Sequence, residues 1–138
     1  MIAHLRFFLA FCFLFLCSCD SFIPSKSLSL DGSYWQIDAI AGEPFLAGTK
    51  MTMHFSDNKV SGSSGCNRYS SSYQSKAQSI EFSGAVVTKM WCAFPDGVMR
   101  QEAAFLKQLS EVESYSYEGG RLRFERVNGD AALTLSKK

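Results

Sequence analysis

Residues 95–118 read PDGVMRQEAAFLKQLSEVESYSYE, and this stretch decides the fold class because it holds the one segment with helical periodicity. Pro95-Asp96-Gly97 breaks the chain and offers Asp96 as an N-cap. From Val98 to Val112 the apolar Val98, Phe105, Leu109 and Val112, flanked by Leu106, fall in one stripe, while Arg100, Lys107, Gln108 and Glu111 fall elsewhere. A surface helix packed on a sheet has that pattern. Towards the C-terminus, two hairpin units follow: Tyr115 to Glu118, Gly119-Gly120 and Arg121 to Val127, then Asn128-Gly129 and Ala131 to Ser136. Towards the N-terminus, Tyr34 to Ile40 reads as a strand, and Met51 to Phe55 alternates apolar with polar before the turn pair Asp57-Asn58, with Val60 beyond it. Ile80 to Phe82 and Ala85 to Thr88 are two short strand segments. Between them and the first hairpin, Ser61 to Ser79 carries eight serines with Tyr69 and Tyr73 interspersed, and is expected to form a hairpin or ordered loop covering the sheet. Strand segments outnumber the helix by about seven to one. The expected class is α+β: a curved antiparallel sheet or partly open barrel packed with one helix. A parallel dinucleotide-binding sheet is disfavoured, since there is no strand-helix alternation, no G-x-G-x-x-G and no Walker sequence.

The whole chain has 138 residues and a formal charge of +1, with 46% hydrophobic residues. Its size allows one domain, and its charge gives no field for nucleic acid or other polyelectrolytes. Much of the apolar excess sits at the start. His4 and Arg6 precede an unbroken apolar run from Phe7 to Leu16, which is signal-peptide anatomy and too short for the roughly 20 residues of a spanning helix. Leu16-Cys17-Ser18-Cys19 resembles the bacterial lipobox, which implies cleavage after residue 18 and acylation of Cys19. An ordinary secreted protein cut near Ser18 is the alternative. Asp20 resembles the enterobacterial cue for inner-membrane retention; inner versus outer membrane stays open. The expected organisation is a signal peptide over 1–18, a lipidated tether over 19–29 containing Pro24, and a domain over 30–138 facing the periplasm. Cleavage removes Arg6 and no acid, leaving 13 basic and 13 acidic residues. Cys12 and Cys17 leave with the signal and Cys19 takes lipid, so Cys66 and Cys92 remain as a pair in an oxidising compartment.

Three segments, in order, resemble the META/HslJ-like domain family of small bacterial envelope lipoproteins. Leu30-Asp31-Gly32-Ser33-Tyr34-Trp35 is similar to the family's opening G-x-x-W. Val60 to Tyr69, VSGSSGCNRY, is similar to its v-x-G-x-x-G-C-N-x-y/f segment, and Thr88-Lys89-Met90-Trp91-Cys92 to its T-x-M-x-C. Glu102, Phe105, Leu106 and Leu109 on the helix, then Tyr115 and Gly120-x-Leu122, extend the likeness across residues 30–136. Trp91 is bulkier than the usual residue before the second Cys, and Asp57-Asn58 lacks the frequent Gly. The resemblance implies a curved antiparallel α+β domain, heat-shock or envelope-stress settings, no established catalytic reaction and no named ligand. Some members have been likened in shape to lipid-binding, cracked-barrel lipoproteins that assist secretion.

Little in the chain supports catalysis. His54 is the one histidine left after cleavage; it falls on the polar phase of a strand, with no nucleophile-elbow sequence to build a triad around it. Gly62-Ser63-Ser64-Gly65 lacks the lysine and helix start of a phosphate loop, and its expected role is conformational. Asn67 is expected to bond backbone groups in a turn. Cys66 and Cys92 read as a disulfide; as metal ligands, two thiolates with one histidine make a poor zinc set. No cofactor or metal is expected. Trp35, Trp91, Met90 and Phe94 read as packing groups, with an apolar recognition loop over Met90 to Phe94 as the alternative. Within that alternative, Trp91 and Phe94 are the candidate contact residues. The leading expectation is a noncatalytic lipoprotein, anchored to the bilayer through Cys19, that binds an envelope protein or apolar ligand under stress. Alternatives are a secretion-assisting or enzyme-inhibiting interaction protein and, last, an unrecognised hydrolase.

Overall fold

A computed structural model describes residues 28–138. The expected signal peptide, Cys19 and most of the tether lie outside the described residues. Among the described residues nine strands and one helix follow in order: β1 (Tyr34–Ile40), β2 (Glu43–Pro44), β3 (Thr52–Ser56), β4 (Lys59–Ser63), β5 (Arg68–Lys76), β6 (Ser79–Val87), α1 (Val98–Ser110), β7 (Ser114–Glu118), β8 (Arg121–Glu125) and β9 (Ala131–Lys137). All pairings are antiparallel, and β1 pairs with β9 as well as β3, so eight strands close into a barrel with β2 as a short flap on β1. The wall is thinnest between β6 and β7, which pair only at Ser79 and Ser114. The chain makes α1 between those two strands. The expected α+β architecture of a curved antiparallel sheet with one helix is what the chain forms.

Alternation accounts for most of the core. β1 buries Trp35 and Ile37, and a register shift between Ile37 and Ala39 changes the phase so that Ile40 also points inward. Asp57 and Asn58, at φ 51° and 58°, close the β3–β4 hairpin as a primed turn. Gly119 and Gly120, at φ 58° and 81°, do the same for β7–β8. Inside the barrel Phe55, Tyr73, Phe82 and Phe124 form a ring cluster with edge-on contacts at 5.0 Å and 5.4 Å. From the helix, Phe105 and Leu109 complete the core, and Phe105 meets Tyr69 edge-on at 4.9 Å. Fully burying a side chain of this size stabilises the fold by about 1.5–3 kcal/mol.

Several expectations are corrected. The serine-rich segment is not a cover over the sheet but barrel wall: β5 turns Tyr69, Ser71 and Tyr73 inward. Ser71 is small enough to sit there, and its hydroxyl bonds the Ser83 carbonyl at 2.9 Å. The two short strands at 80–82 and 85–88 are one strand, β6, interrupted by a bulge opposite Ser71. Asp96 does not cap α1. Gly97 holds the N-cap position at φ 87° with no side-chain cap bond. Gln108, placed off the apolar stripe, is buried, as is Glu102.

Candidate functional site

The Ser64–Asn67 turn joins β4 to β5 and is built by close approach. A Cβ on Gly62 would lie 1.9 Å from the Thr52 carbonyl oxygen, so only glycine lets β4 pass β3 here. Gly65 then turns at φ 111°. The expected conformational role of this glycine-serine run is what the geometry gives. Ser64 N–H donates to the Asn67 carbonyl at 2.8 Å, closing the turn.

This turn grips the segment leaving β6. Cys66 and Cys92 form a disulfide, with Cα atoms 5.9 Å apart. The neighbouring Asn67, almost wholly buried, uses every polar atom of its side chain. Its Nδ2 donates to the Met90 carbonyl at 3.0 Å and to Glu102 Oε1 at 2.7 Å. Its Oδ1 accepts from Thr88 Oγ1 at 2.7 Å and from Met90 N–H at 2.8 Å. That is a full complement for a carboxamide, so the expected turn-bonding role of Asn67 extends to holding a second segment. Glu102 closes the network from α1: Oε2 accepts from Ser64 Oγ at 2.6 Å and from Asn67 N–H at 2.8 Å. Among the described residues no cation lies within salt-bridge distance of this carboxylate. Its burial is balanced by three hydrogen bonds.

The clamp ends where the exposed apolar groups begin. Trp91 is 78% exposed and Phe94 86%, and Met90 is exposed beside them. These three are not packing groups, while Trp35 is buried in the core. The loop therefore holds two aromatic side chains in solvent on a backbone fixed at Thr88, Met90 and Cys92. Exposed Trp and Phe on an ordered backbone are a means of recognition at low entropic cost.

Other candidates separate from this loop. His54 is exposed on β3, its ring 6.0 Å from that of Tyr34, and it makes no side-chain hydrogen bond among the described residues. No cluster of three or more potential metal-ligating side chains occurs among the described residues. Tyr69, beside the turn, donates its phenol to the Thr52 carbonyl at 2.9 Å, and burial pushes its ionisation well above the ordinary tyrosine range. Beside α1 a cleft of about 600 Å³ opens between the helix and the chain around β2, walled by Ile40, Pro44, Phe45 and Leu46 and faced by Arg100 and Gln108. Gln101 spans its edge, its Oε1 accepting from Leu46 N–H at 2.5 Å and its Nε2 donating to Thr49 Oγ1 at 3.1 Å. Sequence reasoning missed this cleft. The β2 flap that forms one wall is two residues long and carries no strand pattern.

Among solved structures, a protein from Burkholderia xenovorans determined by NMR is similar to this chain, with 27% identity over 79% of this chain and 83% of that one and a TM-score of 0.64. A second protein solved by NMR shares the fold at 18% identity, covering 80% of this chain and 95% of that one, with a TM-score of 0.62. No curated protein matches the chain. The model of the META domain matches residues 28–138, which take in the gripped turn, the disulfide and the helix carboxylate alike, and the chain belongs to the META domain family.

Proposed function

We propose that the protein is a noncatalytic envelope lipoprotein, anchored through Cys19, that binds a protein partner with the loop Met90 to Phe94 in an envelope-stress setting. The observation that carries this reading is the exposure of Trp91 and Phe94 on a backbone held by the disulfide and by Asn67. The described chain enters the barrel at the end opposite the clamp. Leu28 accepts a hydrogen bond from the Tyr115 hydroxyl at 3.2 Å, and Asp31 binds the Asp57 amide at 2.9 Å, so the described chain starts beside the β3–β4 turn. The clamp is at the other end of β4, one strand of roughly 17 Å away.

The test is capture from detergent-solubilised envelope with the full chain and its Trp91→Ser and Phe94→Ser variants. Loss of one specific partner in both variants, with an unchanged thermal transition, is the expected result. Equal capture by all three proteins removes the loop from the reading. Mass spectrometry should find Cys19 as the acylated N-terminus of the mature protein; an unmodified start elsewhere removes the anchor. Turnover of an envelope substrate that disappears in His54→Ala would make the protein an enzyme. An apolar ligand is the second reading, favoured by one observation: the cleft beside β2 has apolar walls and a volume in the range of small-molecule sites.

A further inference from the structure

The cleft beside α1 has two unlike ends. Gly97, Arg100, Ala104 and Gln108 recur at helical spacing along the side of α1 that lines it, next to the core stripe of Phe105 and Leu109. At the N-terminal end, Arg100 Nη2 lies 3.1 Å from where a Cβ on Gly97 would be, and Asp96 precedes that glycine, so a cation and an anion offset each other there. Gln101 is engaged with Leu46 and Thr49. Ala104, small and exposed, leaves the middle of the cleft open between apolar walls. The polar group at the other end is Gln108, in the last turn of the helix.

Gln108 is buried with its amide half satisfied. Its Nε2 donates to Glu111 Oε2 at 3.4 Å, and its Oε1 has no partner among the described residues. Turning the amide over would set the oxygen against the Glu111 carboxylate, so it is the accepting oxygen that stays unpaired. Nearly all buried polar atoms of folded proteins are satisfied, and a leucine here would fill the space without that penalty. A ligand group that donates to Gln108 Oε1 from the cleft removes the penalty. The long bond to Glu111 holds the side chain weakly enough for it to turn and meet such a donor.

Charge selects the donor. The C-terminal end of a helix carries the negative end of its dipole. On the same turn Lys107 and Glu111 offset each other, their charges 3.9 Å apart, while Glu43, exposed on the β2 flap, is in no ion pair among the described residues. Arg100 stands two turns back, about 12 Å along the axis, which exceeds the screening length of about 8 Å at physiological salt. An ammonium is favoured at the Gln108 end and a carboxylate is not.

We infer that the cleft binds a small organic cation, an amine with an apolar body, whose ammonium donates to Gln108 Oε1 and whose body lies over Ala104 against Pro44, Phe45 and Leu46. A volume of about 600 Å³ suits a ligand of that class. This deepens the second reading of the proposed function, an apolar ligand, and rests on it; Trp91 and Phe94 take no part.

The test uses the full chain in detergent, with phenylbutylamine as the probe and phenylbutanol and phenylbutyrate as its neutral and anionic isosteres. Binding is followed by the NMR shifts of the Leu46 and Ala104 amides and referred to the free probe concentration. The amine should bind about tenfold or more tighter than the alcohol, and the carboxylate more weakly than either. Gln108→Leu should lower amine affinity to that of the alcohol without lowering the thermal transition, since it removes an unpaired buried oxygen. Ala104→Leu replaces an exposed helical side chain, so it should fold normally and exclude all three probes. Equal binding of amine and alcohol, tightest binding of the carboxylate, or an amine affinity unchanged by Gln108→Leu overturns the amine assignment while an apolar ligand stands. Absence of shifts at Leu46 and Ala104 with every probe overturns the apolar-ligand reading as well.

Discussion

Replacing Glu102 with glutamine changes almost no volume, so its effect isolates the hydrogen bonds. In the wild-type chain the carboxylate accepts three, from Ser64 Oγ, Asn67 N–H and Asn67 Nδ2. A carboxamide has one accepting oxygen. If that oxygen takes the place of Oε2, its NH2 faces Asn67 Nδ2 at the 2.7 Å of the original bond, donor against donor. If it takes the place of Oε1, the NH2 faces the Asn67 amide, again donor against donor. Asn67 cannot relieve the clash by turning its own amide, because that would set Nδ2 against Met90 N–H. Losing one charge-assisted bond costs about 1.5–3 kcal/mol, and leaving a buried donor unpaired costs about 1–3 kcal/mol more. A total near 4 kcal/mol is expected, which is a large share of ordinary domain stability. Urea unfolding, followed by the fluorescence of buried Trp35 against exposed Trp91, measures it. Destabilisation below about 1 kcal/mol would refute the account of the clamp as a fully satisfied network.

Cys66→Ser with Cys92→Ser should cost up to about 3.5 kcal/mol by loop-closure entropy for a separation of 26 residues, read by denaturant titration. Gly62→Ala should prevent the native β3–β4 register, since its Cβ would sit 1.9 Å from the Thr52 carbonyl; loss of the folded amide spectrum is the readout. Trp91→Ser and Phe94→Ser should each shift stability by less than about 0.5 kcal/mol in thermal unfolding, as exposed side chains do. For Tyr69 the folded-state ionisation lies above the unfolded one, so its stabilisation is intact below about pH 10 and declines as pH rises beyond that, when only the unfolded chain releases the proton. Tyr69→Phe should lose about 1 kcal/mol at pH 7 through the Thr52 bond and flatten the alkaline limb in part, since Tyr73 and Tyr115 are also raised by burial.

The elements legible in the sequence are those whose pattern is local. The α1 stripe, the alternation of β3 and the paired turn residues of two hairpins each follow from a period or a φ requirement that neighbours can express. The serine-rich β5 was hidden because its inward positions alternate large and small, Tyr69, Ser71, Tyr73, and small polar residues do not advertise a core face. What makes Ser71 acceptable inside is a carbonyl on β6, twelve residues away. Glu102 is buried for the same kind of reason, whereas Gln108 bonds only the nearby Glu111 and its Oε1 has no partner among the described residues. Glu102 is satisfied by a turn thirty-five residues upstream, and no helical period reveals such a partner. Asp96 shows the converse error: a good capping residue with the right local sequence, displaced one position by Gly97. The exposure of Trp91 and Phe94 was open in the sequence, because a large aromatic beside a cystine is compatible with either face.

The clamp is redundant, and the redundancy has a consequence for recognition. Cys66 and Asn67 are consecutive, and between them they hold Thr88, Met90 and Cys92 by one covalent bond and three hydrogen bonds of the Asn67 side chain, which Glu102 in turn holds in place. Two constraints on one segment are not independent, because the entropy removed by the first is no longer there for the second to remove. Cutting the disulfide alone should therefore leave the loop held by Asn67 and Glu102, and disrupting Glu102 alone should leave it held by the disulfide. Only the loss of both frees the aromatic side chains to sample open conformations, and only then does a partner have to order the loop on binding. Partner affinity and global stability should thus both fall more in the double variant than the sum of the single losses, because each single variant leaves the segment held by the other constraint.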